Sequence, residues 1–231
     1  MIKMLIKNLQ ELEKFLKILP ECKENEQYYI ALFARKKYFP GGFLVNDKSQ
    51  LSRKTATKDR IIEKIKQMEV PYYFNGKLIP EESLALYITP NPRDLWKAGL
   101  QTLKEIAEKV KNGDRTYNPQ ALAMNCIQTS SSTKKFFDID LDLLRIISGE
   151  ELDEIKTNLN RFVGENNYTL IKTKGGFHIL IHLQDIQAIQ SKTWYKNINQ
   201  PLLGVYTITM SGDALLPIPG CAQGGIYPYL I

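Results

Sequence analysis

Residues 133–182 read TKKFFDIDLDLLRIISGEELDEIKTNLNRFVGENNYTLIKTKGGFHILIH. Asp138 and Asp140 stand one residue apart inside an apolar run. Ser148 and Glu151 have the spacing of a capping box, and Leu152, Ile155, Leu159 and Phe162 follow at helical spacing until Gly164. A second apolar run then reaches a Lys-Gly-Gly turn, and His178 opens a third. The segment therefore predicts strand, helix, strand, tight turn, strand.

A strand turns alternate side chains to opposite faces. Asp138 and Asp140 are thus expected on one face, roughly 7 Å apart, with Phe137, Ile139 and Leu141 packed under helices on the other. Carboxylates placed side by side repel, and the pKa of one of them rises. A divalent cation relieves that repulsion. Mg²⁺ in particular takes a few carboxylates together with phosphate oxygens and water. The plainer alternative for the same residues is an exposed strand edge that happens to be acidic.

In the turn, Lys172 and Lys174 flank and adjoin Gly175 and Gly176. Glycines let backbone N–H groups come close to a phosphate, although the same residues also make an ordinary hairpin. A two-residue loop would put Lys172 on the face opposite His178, and a three-residue loop would put the two together. His182 lies four residues beyond His178 and is read as structural.

Working outward, residues 8–19 predict a helix with Leu9, Leu12, Phe15, Leu16 and Leu19 on one face, stopped by Pro20. Gln27 to Phe39 predicts an aromatic-rich strand ending at Pro40-Gly41-Gly42, beside the cations Arg35, Lys36 and Lys37. That corner faces nucleic acid or is a solvated strand end. Asn46 to Arg60 carries Lys48, Arg53, Lys54, Lys58 and Arg60 and reads as a mobile basic loop. A helix with Ile61, Ile62, Ile65 and Met68 inward follows it. The loop either contacts a phosphate backbone or is simply solvated. Ser83 to Thr89 predicts a strand, and the Asn91-Pro92-Arg93-Asp94 corner leads into a helix. That helix is expected to turn Trp96, Leu100, Leu103, Ala107 and Val110 inward until Asn112-Gly113. Arg93 either reaches a phosphate or pairs with Asp94. Further on come a short helix at Pro119 to Gln128, a helix at Asp185 to Asn197 and a strand at Leu202 to Met210. Asp213 stands just beyond that strand.

The chain has 231 residues, 43% of them hydrophobic, which is enough for a sizeable core in one domain or a domain with an added N-terminal unit. Lys and Arg outnumber Asp and Glu by 31 to 25, a balance that suits a nucleic-acid partner. Cys22, Cys126 and Cys221 are scattered and form neither a disulfide framework nor a zinc-ligand spacing, which favours a reducing, cytoplasmic setting. No apolar run has the length of a membrane span, and the N-terminus is too charged for a secretory signal.

FFDIDLD, TKGGFHILI and GDALLPIPG together resemble the motifs of the archaeo-eukaryotic primase superfamily, the primase-polymerases, over roughly residues 84–225. That family carries an acidic D-x-D pair, a small-x-His motif on a later strand and a third acidic residue. Here these match Asp138 with Asp140, Gly176 with His178, and Asp213. The Asn-Pro-Arg corner at Arg93 is similar to one that precedes the acidic pair in plasmid, phage and CRISPR-associated members. The resemblance implies an α/β (α+β) catalytic core: an N-terminal α/β unit over 1–128 packed on an RRM-like mixed sheet over 129–231. It implies template-directed nucleotidyl transfer from nucleoside triphosphates on single-stranded DNA, making or extending primers. Two Mg²⁺ or Mn²⁺ ions would be held by Asp138, Asp140 and Asp213, with no zinc. Arg93, Lys172, Lys174, Gly175, Gly176 and His178 would hold the nucleotide. Expected partners are template, primer, and a helicase or other replication or CRISPR protein, with no membrane. Two other functions fit the same residues: a metal-dependent nuclease or phosphohydrolase, and a non-catalytic nucleic-acid-binding module. Should Asp213 fall far from Asp138, Asp142 or Asp185 is the next acid to consider.

Overall fold

The computed structural model describes residues 4–38, 48–143, 147–184, 186, 206–209 and 212–231. In chain order the elements are helix α1 (Leu9–Ile18), strands β1 (Glu26–Arg35) and β2 (Lys48–Ala56), and helix α2 (Ile61–Lys66). A small hairpin follows, β3 (Tyr73–Phe74) and β4 (Lys77–Leu78), then β5 (Leu84–Ile88) and β6 (Arg93–Asp94). Helices α3 (Leu95–Lys111) and α4 (Pro119–Thr129) lead to β7 (Phe136–Leu143), helix α5 (Gly149–Val163), β8 (Tyr168–Lys172) and β9 (Gly176–His182). The chain ends with β10 (Tyr206–Thr209), β11 (Leu216–Pro217) and β12 (Tyr229–Leu230). The protein is thus α+β, and the strand pairings among the described residues are antiparallel.

The first sheet has the order β11-β5-β1-β2, with β6 also on β1. Its centre, β1, is buried on both faces, as its nearly continuous apolar run requires. Tyr28, Ile30 and Leu32 pack on one side with Leu12 and Phe15 of α1 and Ile61 and Ile65 of α2. Tyr29, Ala31 and Phe33 face the other side, where Met124 and Ile127 of α4 lie against them.

The second sheet has the order β10-β7-β9-β8-β12. Ile139, Leu141, Ile179 and Ile181 bury against Ile155, Leu159 and Val163 of α5. The capping box at Ser148 and Glu151 is present, as its spacing predicts. On the opposite face Phe136, Ile171 and Leu180 join the first sheet's core. The two halves therefore share one interior at that point and part where the same face turns polar, at Asp138, Asp140 and His178.

The chain does not stay in the second half after β10. β11 pairs with β5, Ile6 bridges Cys221, and Ala222 donates to the Leu5 carbonyl before β12 returns to β8. Asn91 stitches the halves together. It is fully buried, accepts from the N–H groups of Lys135 and Phe136 at 2.8 Å each, and donates to the Phe136 carbonyl at 3.0 Å.

Two sequence expectations are corrected. The stretch expected as a mobile basic loop contains strand β2, paired along β1. Its polar, cationic character is that of an edge strand, which needs charges to discourage pairing with other chains. The stripe on α3 does not face inward: Trp96 is 70% exposed and Leu103 66%, while the helix buries Ala98. Helical periodicity marks an apolar face but not what lies opposite it, and the small side of the helix is the one that packs. The helix expected at Asp185 to Asn197 lies outside the described residues apart from Ile186, which is buried in the α5 core. No helix among the described residues is long and apolar enough to cross a membrane.

Gly176 is where β9 passes closest to β7. A Cβ there would stand 1.8 Å from the Leu141 carbonyl oxygen, a backbone atom that no rotamer change can move. Gly176→Ala is therefore expected to destabilise the fold by about 1–3 kcal/mol or more, measured as a lower urea midpoint. An unchanged midpoint would mean that the two strands separate freely.

Candidate functional site

β7 and β9 pair with Asp140 directly opposite His178 and Asp142 opposite Gly176. The strand period then brings Asp138, Asp140, Asp142 and His178 onto one face, the face turned away from α5. Across from it stand the end of β1 and the middle of β5. The resulting cleft, ≈ 430 Å³, is lined by Asp140, Asp142, His178 and Gly175 on one wall and by Arg35, Lys37, Tyr38 and Tyr87 on the other.

His178 is the hub. Its Nδ1 lies 3.0 Å from Asp138 Oδ1 and 3.2 Å from Oδ2, and its Nε2 lies 3.5 Å from Asp140 Oδ1. Burial alone would lower its pKa. The charge and hydrogen bond of Asp138, with the charges of Asp140 and Asp142, outweigh burial and hold the pKa above its ordinary value. The imidazolium form is thereby favoured, with an N–H on each side. Asp138 has no exposure, contrary to the solvent-facing position expected for it. Its carboxylate sits beneath the histidine ring and orients it.

Asp140 differs from Asp138, with a side chain 34% exposed. Desolvation raises its pKa, and the charges of Asp142 and Asp138 add to that, against the opposing pull of His178 and Lys37. Asp142 is exposed at the cleft mouth. Asp140 and Asp142 are therefore the carboxylates a cation entering the cleft would meet. They suit a hard ion whose remaining ligands are phosphate oxygens and water. Among the described residues no cluster of three or more His, Cys, Asp or Glu side chains is placed to hold a metal ion.

Asp213 is close to β7 in the backbone but engaged elsewhere in its side chain. Gly212 exchanges hydrogen bonds with Asp138, N–H to carbonyl in both directions at 3.2 and 3.4 Å. The Asp213 carboxylate accepts from Asn91 at 2.9 Å, and its other oxygen is held by Arg93 and Ser131. Arg93, 2% exposed, is thus buried against Asp213 rather than open to a nucleotide phosphate or paired with Asp94. Asp94 instead caps α3, accepting from the Lys97 N–H. Asp185 lies outside the described residues.

The turn closes as a two-residue loop: the Thr173 N–H donates to the Gly176 carbonyl. Lys172 consequently points to the α5 face, with Nζ 4.2 Å from the centre of the Phe177 ring, and not toward His178. Lys174 reaches the Gly224 carbonyl and lies over Tyr38. The turn's N–H groups are partly used already, Lys174's by Gln223 and Gly176's by the Thr173 hydroxyl. Gly175 reaches the cleft, and Gly176 serves the close approach of β9 to β7. His182 pairs with the Thr169 hydroxyl at 3.0 Å and stacks edge-on to Phe136.

The opposite wall is less legible in sequence. Arg35 donates to the Tyr87 hydroxyl at 2.7 Å. The basic run at the end of β1 signals a binding corner, but nothing in its spacing relates it to Asp140. Asp142 was visible as the third member of an alternating series, at the same period as the first two.

Two outcomes follow from these contacts. Asp213→Ala leaves the buried Arg93 guanidinium unpaired and is expected to cost about 3–5 kcal/mol of stability, read by chemical denaturation. A wild-type midpoint would free Asp213 for another role. The second concerns pH. A raised histidine pKa stabilises the fold in full below the ordinary value of 6.5, and that contribution is lost as pH rises through the folded value. In Asp138→Asn the stability decline across this window should flatten and the His178 NMR titration should shift to lower pH. Superimposable curves for the two proteins would remove Asp138 as the cause.

No protein-family model, curated protein or solved structure matches this chain.

Proposed function

We propose that this protein is a DNA primase-polymerase, transferring nucleotides from triphosphates onto a primer or first nucleotide along single-stranded DNA. The observation that carries the reading is the cleft with opposed walls: carboxylates and a histidine on β7 and β9, and Arg35, Lys37, Tyr38 and Tyr87 from the end of β1, the turn after it and β5. A triphosphate needs both, a cation site at its oxygens and positive side chains around its remaining charge.

The second sheet supports the same reading. Counting β7, β8, β9 and β10 as first to fourth, their order is 4-1-3-2, with a helix between the first two. That is the arrangement of RRM-like sheets, whose central strands carry the functional side chains. The acidic pair and the small-x-His motif fall on those central strands, and the third motif follows the edge strand β10.

Asp140 and Asp142 would hold Mg²⁺ or Mn²⁺. Such an ion supplies neutralisation of triphosphate charge and activation of the attacking 3′-hydroxyl. His178 offers its Nε2 N–H to a phosphate oxygen, and Asp138 keeps the ring in that orientation. Arg35 and Lys37 meet the triphosphate from the other wall. Among the described residues Arg35 Nε, like Arg93 Nε, is buried without a hydrogen-bond partner, and of the two only Arg35 lines the cleft. Arg53 and Lys54 on the edge strand β2 extend positive charge in the first half, where a template backbone would find it.

Incubation with Mn²⁺, labelled nucleotides and primed or unprimed single-stranded DNA tests the proposal. Extended products are expected. Asp140→Asn should reduce extension by more than about 10-fold, since metal sites lose about 10–100-fold even from their supporting residues. Arg35→Ala should weaken nucleotide affinity by about one to two orders of magnitude, the value of a charge-assisted hydrogen bond. Degradation of the DNA would instead identify a nuclease, and binding without turnover a non-catalytic module.

A further inference from the structure

A second groove stands apart from the cleft's lining. It lies between α3 and α4, measures ≈ 530 Å³, and is lined by Trp96, Gly99, Leu100 and Leu103 of α3 with Ala123 and Ile127 of α4. Along its α3 side runs the stripe Trp96, Leu100, Leu103, Ala107 and Val110, all exposed. The steps alternate between four and three residues, so the stripe keeps to one side for about 21 Å, at 1.5 Å per residue. Contiguous exposed apolar surface of this kind marks an interaction site in a soluble chain.

The charges beside the stripe indicate what covers it. Lys97, Lys104 and Lys111 each follow a stripe residue by one position and are seven residues apart, and all three are exposed. They form a single column along the outer edge of the stripe, while α4 occupies the inner edge. A second copy of the chain is poorly matched to this face. An antiparallel α3–α3 pair sets lysine column against lysine column, and a parallel pair sets it against the edge that α4 fills. A groove between two helices offers a flat bilayer less contact than it offers a single helix laid along it. We infer that the α3–α4 groove docks an amphipathic helix of a partner protein, its apolar stripe seated in the groove and acidic residues along the flank that meets Lys97, Lys104 and Lys111. The groove shares no lining residue with the cleft, although Ile127 in one and Gln128 in the other are neighbours on α4, and its occupant does not depend on the activity proposed for the cleft.

The full chain is titrated, by fluorescence anisotropy, with a labelled helical peptide of about 18 residues carrying leucines at alternating three- and four-residue steps and glutamates on both flanks. A twin carries lysines in place of the glutamates. The glutamate peptide is expected to bind at least about tenfold tighter at low salt. Lys97→Glu/Lys104→Glu/Lys111→Glu should reverse that preference. Leu100→Ser/Leu103→Ser should abolish binding of both peptides with no loss of thermal stability, because Leu100 is 55% and Leu103 66% exposed. Equal binding of the peptides, or no binding, would overturn the proposal. So would a concentration-dependent dimer, or sedimentation with phosphatidylserine vesicles, that is lost in the serine variant.

Discussion

The antiparallel pairing of β7 with β9 is the constraint on which the site depends. Its register places Asp140 opposite His178, and the twofold period of both strands then decides every neighbouring position. A slip of one residue would send the acids into the α5 core and the isoleucines into the cleft. Gly176 permits the close approach at the end of this pairing, and Ile139, Leu141, Ile179 and Ile181 lock the register by burying together. The acidic face and the hydrophobic face are therefore one decision, made by the strand period and enforced by burial.

Electrostatics divide the acidic residues into two kinds. Asp138 and Asp213 are buried and each is matched to a cation, His178 or Arg93, so their charges are satisfied inside the protein. Asp140 and Asp142 face the cleft, and the Asp142 charge adds to the desolvation that raises the Asp140 pKa. The three acids that read as equivalent in a motif thus have different surroundings: Asp138 orients a histidine, Asp213 anchors the corner between the halves, and Asp140 is open to the cleft. Asn91 completes that corner by satisfying the first backbone groups of β7, which places the start of the acidic strand against the first half.

Much of the architecture was legible beforehand because it rests on local rules. The capping box of α5, the aromatic strand β1, the strand β5 and the strand–helix–strand–turn–strand run of the second half all follow from periodicity and cap chemistry. The loop-length alternatives at Lys172 were also legible as alternatives, and the Thr173–Gly176 bond selects between them. Strand β2 was not legible: its side chains are polar and cationic, and its pairing is dictated by β1 rather than by any apolar alternation of its own.

By itself, the sequence determined which residues share a face. Asp138, Asp140 and Asp142 are set together by the twofold strand period, and the α3 stripe by the helical one, whereas His178 joins the acids only through the pairing of β9 with β7. Only the tertiary structure decided what each face meets. Arg35, Lys37 and Tyr87 come to the acidic strand through the packing of one half on the other, across separations that no local pattern encodes. Arg93 is turned from the cleft to Asp213 because burying a guanidinium demands a carboxylate, and the chain after β10 brings one within reach. The apolar stripe of α3 stays uncovered because the helix packs on its small side, at Ala98. Periodicity is a property of the chain, whereas the partner of a face is a property of the fold.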